Sequence, residues 1–159
     1  MYRHILIPTD GSDLSQNAVG YGVALAKAVG AKVTGVTVST PFHIFAVDTE
    51  MLTDTPESYK HRVKKRAEKY LARVKDAAAE AGIGYAGIHV EHEHPYQAII
   101  DTAKERGCDL IAMASHGRRG LSAVVLGSET VKVLTHSSIP VLVYRAEGST
   151  FLPRYLAAS

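Results

Sequence analysis

The sequence predicts a single α/β domain, a parallel sheet covered by helices on both faces. Two observations carry this. Short runs rich in Val, Ile and Leu alternate with stretches of helical periodicity, five strands against four helices. The first, fourth and fifth runs are apolar without alternation, as in strands buried on both sides. A chain of 159 residues is an ordinary length for one domain with a substantial core. Crossovers between parallel strands are expected to be right-handed.

Each element follows from its own residues. Arg3 to Pro8 is the first strand. Ser12 is a suitable N-cap for a helix reaching about Val29, with Ala18, Gly22, Leu25 and Val29 at helical spacing and Gly30 as the stop. Lys32 to Ser39, rich in Val and Thr, is the second strand. A loop then runs to Thr55 and carries Phe42, Ile44, Phe45, Val47, Met51 and Leu52; such a loop is a lid or docking surface in one reading. Pro56 sits at a first helical position, and the helix runs to about Ala81. Tyr59, Val63, Ala67, Tyr70, Val74 and Ala81 mark its inner face, Gly82 ends it, and its Lys and Arg residues read as a solvated face. Tyr85 to Glu91 is the third strand. Pro95 opens a helix with Ile99, Ile100 and Ala103 inward and Gly107 as its stop. Leu110 to Ala114 is the fourth strand, Glu129 to His136 the last helix, and Pro140 to Tyr144 the last strand.

Composition excludes several classes. The formal net charge of +2 gives no concentrated basic face for nucleic acid. No apolar run is long enough to span a membrane. Met-Tyr-Arg-His leads directly into a strand, so no leader is expected. Cys108 is the one cysteine, which forbids an intrachain disulfide and agrees with a cytoplasmic location. It reads as a semi-buried thiol, since no base is evident beside it.

Chemistry concentrates between the fourth strand and the last helix. Met113-Ala-Ser-His-Gly-Arg-Arg-Gly120 leads to Gly127-Ser128, so Gly117, Gly120 and Gly127 lie between a strand and a helix. Glycines admit close backbone approach, and a helix start adds N–H donors and a positive dipole end. The segment reads either as a phosphate cradle or as a long surface loop capped by Ser128. Arg118 and Arg119 screen phosphate charge in the first reading and are exposed loop cations in the second. His116 is placed to contact phosphate or ribose. Asp10, after the first strand, suits a ribose or a phosphate-bound Mg²⁺, or a plain turn before a helix.

The segment resembles the signature of the universal stress protein family, Gly-x2-Gly-x9-Gly-Ser/Thr, with Gly117 as the second glycine, Gly127 as the third and Ser128 as the hydroxyl residue. Ala114 stands at the first glycine, a change that narrows the site if that position needs positive φ or close phosphate approach. Ile5-Leu-Ile-Pro-Thr-Asp-Gly-Ser12 and Ser138-Ile-Pro-Val-Leu-Val-Tyr144 also resemble the family's first and last strands, so the resemblance covers about residues 2 to 145. It implies a Rossmann-like domain over residues 1–145 of the adenine-nucleotide α-hydrolase type, sheet order 3-2-1-4-5, with 146–159 as a C-terminal extension. That order puts a topological switch between the first and fourth strands, where ligands of open α/β sheets bind. The implied ligand is ATP, or ADP or AMP, with Mg²⁺ possible at Asp10. The implied contacts are Pro8, Thr9, Asp10 and Val38, the last through main-chain groups to adenine. They continue with Met113, Ala114, Ser115, His116, Gly117, Arg118, Arg119 and Gly120, then Gly127, Ser128, Glu129 and Thr130. A homodimer through the last strand is also implied. Val141, Leu142 and Val143 form an edge costly to expose, and the tail residues Phe151, Leu152, Tyr155 and Leu156 are expected to pack on the body or partner.

Two patterns are set aside. Gly82-Ile-Gly-Tyr-Ala-Gly87 spells a dinucleotide fingerprint but follows a helix and precedes a strand, the reverse of the required context. His89, His92 and His94 lack a cysteine partner, and His89 and His92 fall on opposite strand faces. A Walker A lysine motif is absent. No nucleophile and base pair is evident, so the expectation is a regulatory or protective nucleotide-binding protein. The alternatives are a slow ATPase, a dimeric interaction module without nucleotide, and an adenylyl-transferring ligase.

Overall fold

The computed structural model describes residues 1–42, 55–116 and 126–145. In chain order the elements are β1 (His4–Pro8), α1 (Asp13–Val29), β2 (Lys32–Ser39), α2 (Pro56–Ala81), β3 (Tyr85–Glu91), α3 (Pro95–Glu105), β4 (Leu110–Ala114), α4 (Ser128–His136) and β5 (Val141–Tyr144). The strands form one parallel sheet in the order β3-β2-β1-β4-β5.

The helices begin and end where local chemistry dictates. Ser12 accepts the Ser15 N–H at 3.2 Å to start α1, and Thr55 does the same for Ser58 at 3.2 Å to start α2. Gly30 and Gly82 close these two helices. Three boundaries differ from the sequence expectation. β1 starts at His4 rather than Arg3, and the N–H groups of both residues donate to the Asp109 carboxylate, at 2.9 and 3.0 Å. β5 starts at Val141, since Pro140 has no N–H to offer a ladder. Ser128 is not the cap of α4. Gly127 is, because its carbonyl already accepts the Val131 N–H at 3.0 Å, which makes Ser128 the first helical residue.

Residues of β1 alternate between two cores. Ile5 and Ile7 join Val19, Val23 and Ala26 of α1, Val74 of α2 and Ala112 of β4 on one face. Leu6 joins Ile99, Ile100 and Ala103 of α3, Val133 of α4 and Ile111 of β4 on the other. The period of two along a strand therefore feeds both layers at once. β1 and β4 are buried almost throughout, while β3 and β5 are the part-exposed edges. Among the described residues no helix is long and apolar enough to cross a membrane. The expected tail packing and the apolar residues Ile44, Phe45, Val47, Met51 and Leu52 lie outside the described residues.

Candidate functional site

The order of the sheet sends β1 and β4 in opposite directions of connection, α1 and α2 to one face and α3 and α4 to the other. Their carboxyl ends part at this switch point and leave a cavity of about 800 Å³. Of the residues singled out from sequence, Pro8, Thr9, Asp10, Val38, Met113, Ala114, His116, Gly127, Ser128, Glu129 and Thr130 line it. Ser115 does not: its N–H donates to Tyr144 O at 2.8 Å and its carbonyl accepts the Gly127 N–H at 2.8 Å, so its backbone is spent on holding β5 and α4 in place. Gly117, Arg118, Arg119 and Gly120 lie outside the described residues.

The β1 exit is a tight, internally bonded turn. Asp10 Oδ1 accepts the Ser12 N–H at 3.0 Å and the Ser12 hydroxyl at 2.7 Å. Thr9 is buried, with its hydroxyl 3.1 Å from Ser15 Oγ, and its carbonyl accepts the Thr37 hydroxyl at 3.0 Å. Gly11 has φ of +77°, and the Tyr70 ring of α2 lies so close that any Cβ there would overlap it. Glycine is therefore needed at position 11 for both conformation and space.

The α4 entrance is shaped by Gly127. Its φ of −63° is ordinary, so the demand is for space. A Cβ there would sit 3.0 Å from His116 Cα and 3.2 Å from His116 Cβ. Gly127, the N-cap of α4, has no side chain to offer the first turn. Its N–H groups, which have no partner within the helix, begin at the cavity wall. Glu129 in that turn is occupied elsewhere: Oε2 accepts the Tyr96 N–H at 2.8 Å, and Oε1 accepts from Lys132 Nζ at 3.1 Å. The Thr130 hydroxyl donates to Ala114 O at 3.0 Å and anchors the helix to β4. Ala114 lies in the extended strand, opposite Tyr144 of β5, so its position makes no demand for positive φ. His116 Nδ1 is 3.2 Å from Ser115 Oγ.

The sequence reading missed the α2 wall. Tyr59, Val63, Arg66, Ala67 and Tyr70 face the cavity, joined by Glu93, Pro95 and Ile99 from the β3–α3 side. The spacing of the α2 residues marked an inner face, but periodicity does not distinguish a face against a core from one against a cavity. Arg66, flanked by Val63, Ala67 and Tyr70, was the available signal. The histidine trio does not converge: His89 Nε2 is 2.8 Å from Ser39 Oγ, while His92 lies beyond β3 and its Nδ1 accepts the His94 N–H at 2.9 Å. Among the described residues no three His, Cys, Asp or Glu side chains are gathered to hold a metal.

An open parallel sheet with a switch-point cavity and a helix start at its wall belongs to the Rossmann-like α/β class. The chain belongs to the universal stress protein family, whose model matches residues 1–145. It is 34% identical to the universal stress protein YxiE of Bacillus subtilis, over 91% of this chain and 100% of that one. It is similar to the solved structure of MJ0577 from Methanocaldococcus jannaschii, with 28% identity, a TM-score of 0.78, and 94% and 99% of the two chains covered. The fold is shared with a universal stress protein of Archaeoglobus fulgidus solved in complex with dAMP, with 18% identity, a TM-score of 0.63, and 89% and 97% covered.

Proposed function

We propose that this chain binds an adenine nucleotide, ATP foremost, in the switch-point cavity, and acts in a regulatory or stress-protective role in the cytoplasm. The observation that carries the reading is the start of α4, with a glycine as its N-cap, at the wall of a cavity of about 800 Å³, a size within the usual range for small-molecule sites. Phosphates take the N–H groups of Ser128 and its neighbours, favoured by the dipole of α4. Gly117, Arg118, Arg119 and Gly120 are proposed from the sequence alone as further phosphate contacts. Adenine lies toward Val38 at the end of β2. The dAMP bound by the Archaeoglobus fulgidus protein supports this ligand class.

Mg²⁺ fits the donor set. A small hard cation is commonly held by one or two carboxylates together with substrate phosphates, and Asp10 is the carboxylate at the β1 exit. When bound, the ion would neutralise phosphate charge. The residues of this chain do the positioning: Ser12 fixes the Asp10 carboxylate, and Thr130 fixes α4 against β4. The chain is further proposed to form a homodimer through β5.

The test is isothermal titration of nucleotide-stripped protein with ATP and Mg²⁺, beside Gly127→Val. The wild type is expected to bind and the variant to lose binding, because valine would push His116 out of the cavity wall. Absence of heat from the wild type with ATP, ADP, AMP and a cyclic nucleotide would overturn the reading.

A further inference from the structure

The α2 wall of the cavity combines residues the sequence reads as an inner face, Tyr59, Val63, Ala67 and Tyr70, with one arginine it reads as solvated, Arg66. Tyr59 donates its hydroxyl to Thr40 O at 2.9 Å and so ties α2 to the end of β2. Two turns on, Arg66 lines the cavity, and one turn further the Tyr70 ring is pressed against Gly11 in the β1 exit. Arg66 lies on α2 between these two tyrosines. Among the described lining residues it is the only lysine or arginine. The same lining carries Val63, Ala67 and the two tyrosines, and the carboxylates of Asp10, Glu93 and Glu129.

Its place in the fold decides which part of a ligand it meets. α2 packs on the sheet face shared with α1, and α4 packs on the opposite face. Phosphates drawn to the start of α4 leave the other end of the ligand for the α2 wall. A guanidinium is planar, stacks on heteroaromatic rings and donates in a fixed fork. We infer that Arg66 is a specificity residue that holds the base of the bound nucleotide against the α2 wall, an assignment that rests on the nucleotide reading above. Its charge serves the ring and not the phosphates.

Titrations of wild type, Arg66→Ala and Arg66→Lys with adenosine, AMP and ATP, each at two salt concentrations, test this. Arg66→Ala is expected to weaken all three ligands by the same factor, about 10-fold. Arg66→Lys is expected to leave most of that loss in place, because an ammonium has no plane to stack. The salt dependence of ATP binding should match the wild type. A deficit that grows from adenosine to ATP, with rescue by lysine, would overturn the inference and make Arg66 a phosphate counter-charge. Unchanged affinities in Arg66→Ala would overturn it as well. A wild type that binds none of the three overturns the nucleotide reading itself, and the inference with it, a result distinct from a wild type that binds while the variant is unaffected.

Discussion

His4 lies buried at the amino end of β1, with Nε2 2.7 Å from Thr34 Oγ1 and a further hydrogen bond to the Arg106 backbone. Burial, first, and the Lys32 charge, second, hold its pKa below the usual 6.5; the hydrogen bond to the Arg106 backbone and the Asp109 charge oppose them, and the Arg106 charge adds a little to them. The unfolded chain therefore binds a proton more readily than the folded one. The stability this neutral imidazole contributes is complete above 6.5 and is lost as pH falls through the lower folded value. Thermal unfolding between about pH 5 and 8 should show this loss in the wild type and a smaller one in His4→Gln. Equal slopes would remove His4 from the account. Cys108 is 6% exposed, and burial first and Asp109 second push its thiol to about 11. At about pH 8 iodoacetamide should leave it unmodified in the native protein and alkylate it once unfolded. Rapid native alkylation would show that the thiol is open to solvent.

At the scale of elements, the Glu129 carboxylate joins the starts of two helices. It satisfies the Tyr96 N–H at the opening of α3, whose own N-cap residue, His94, supplies no side-chain bond. Glu129→Ala is expected to cost about 1 kcal/mol in urea unfolding and to speed exchange of the first α3 amides. An unchanged midpoint would mean that water replaces the carboxylate fully. This link was not legible in the sequence, since it spans 33 residues and depends on how α3 and α4 pack. By contrast, the starts at Ser12 and Thr55 and the stops at Gly30 and Gly82 were legible, because each rests on bonds within one turn. Gly127 was legible as a candidate, and it lines the cavity, but the reason for a glycine there was not: the demand is for space beside His116, which lies eleven positions earlier in the chain. The strand order had no local signal either. It came with the family resemblance, whereas the alternation of strands and helices came from periodicity.

For the whole molecule, the apolar interior of the central strands should dominate stability. Ile111→Ala, at a fully buried position in β4, is expected to cost about 2–5 kcal/mol by denaturant unfolding. The outer strand makes a different demand. Leu142 in β5 is 46% exposed, and Val131 and Leu134 of α4 are 45% and 42% exposed. Leu142→Asp should convert the proposed dimer to a monomer in sedimentation analysis without unfolding it. A wild type that sediments as a monomer at all concentrations would remove the dimer from the proposal.

The pairing of β1 has a consequence for how the chain matures. β1 leaves the ribosome first, and its partner β2 follows closely, but the Asp109 that binds His4, and β4 after it, arrive 105 residues later. An early β1-β2-β3 sheet with α1 and α2 would carry one wall of the cavity and lack the start of α4. The pocket comes into being only when β4 inserts beside β1. The proposed ligand would then act as a latch on completed synthesis, and truncated chains that end before β4 would lack the site proposed for it.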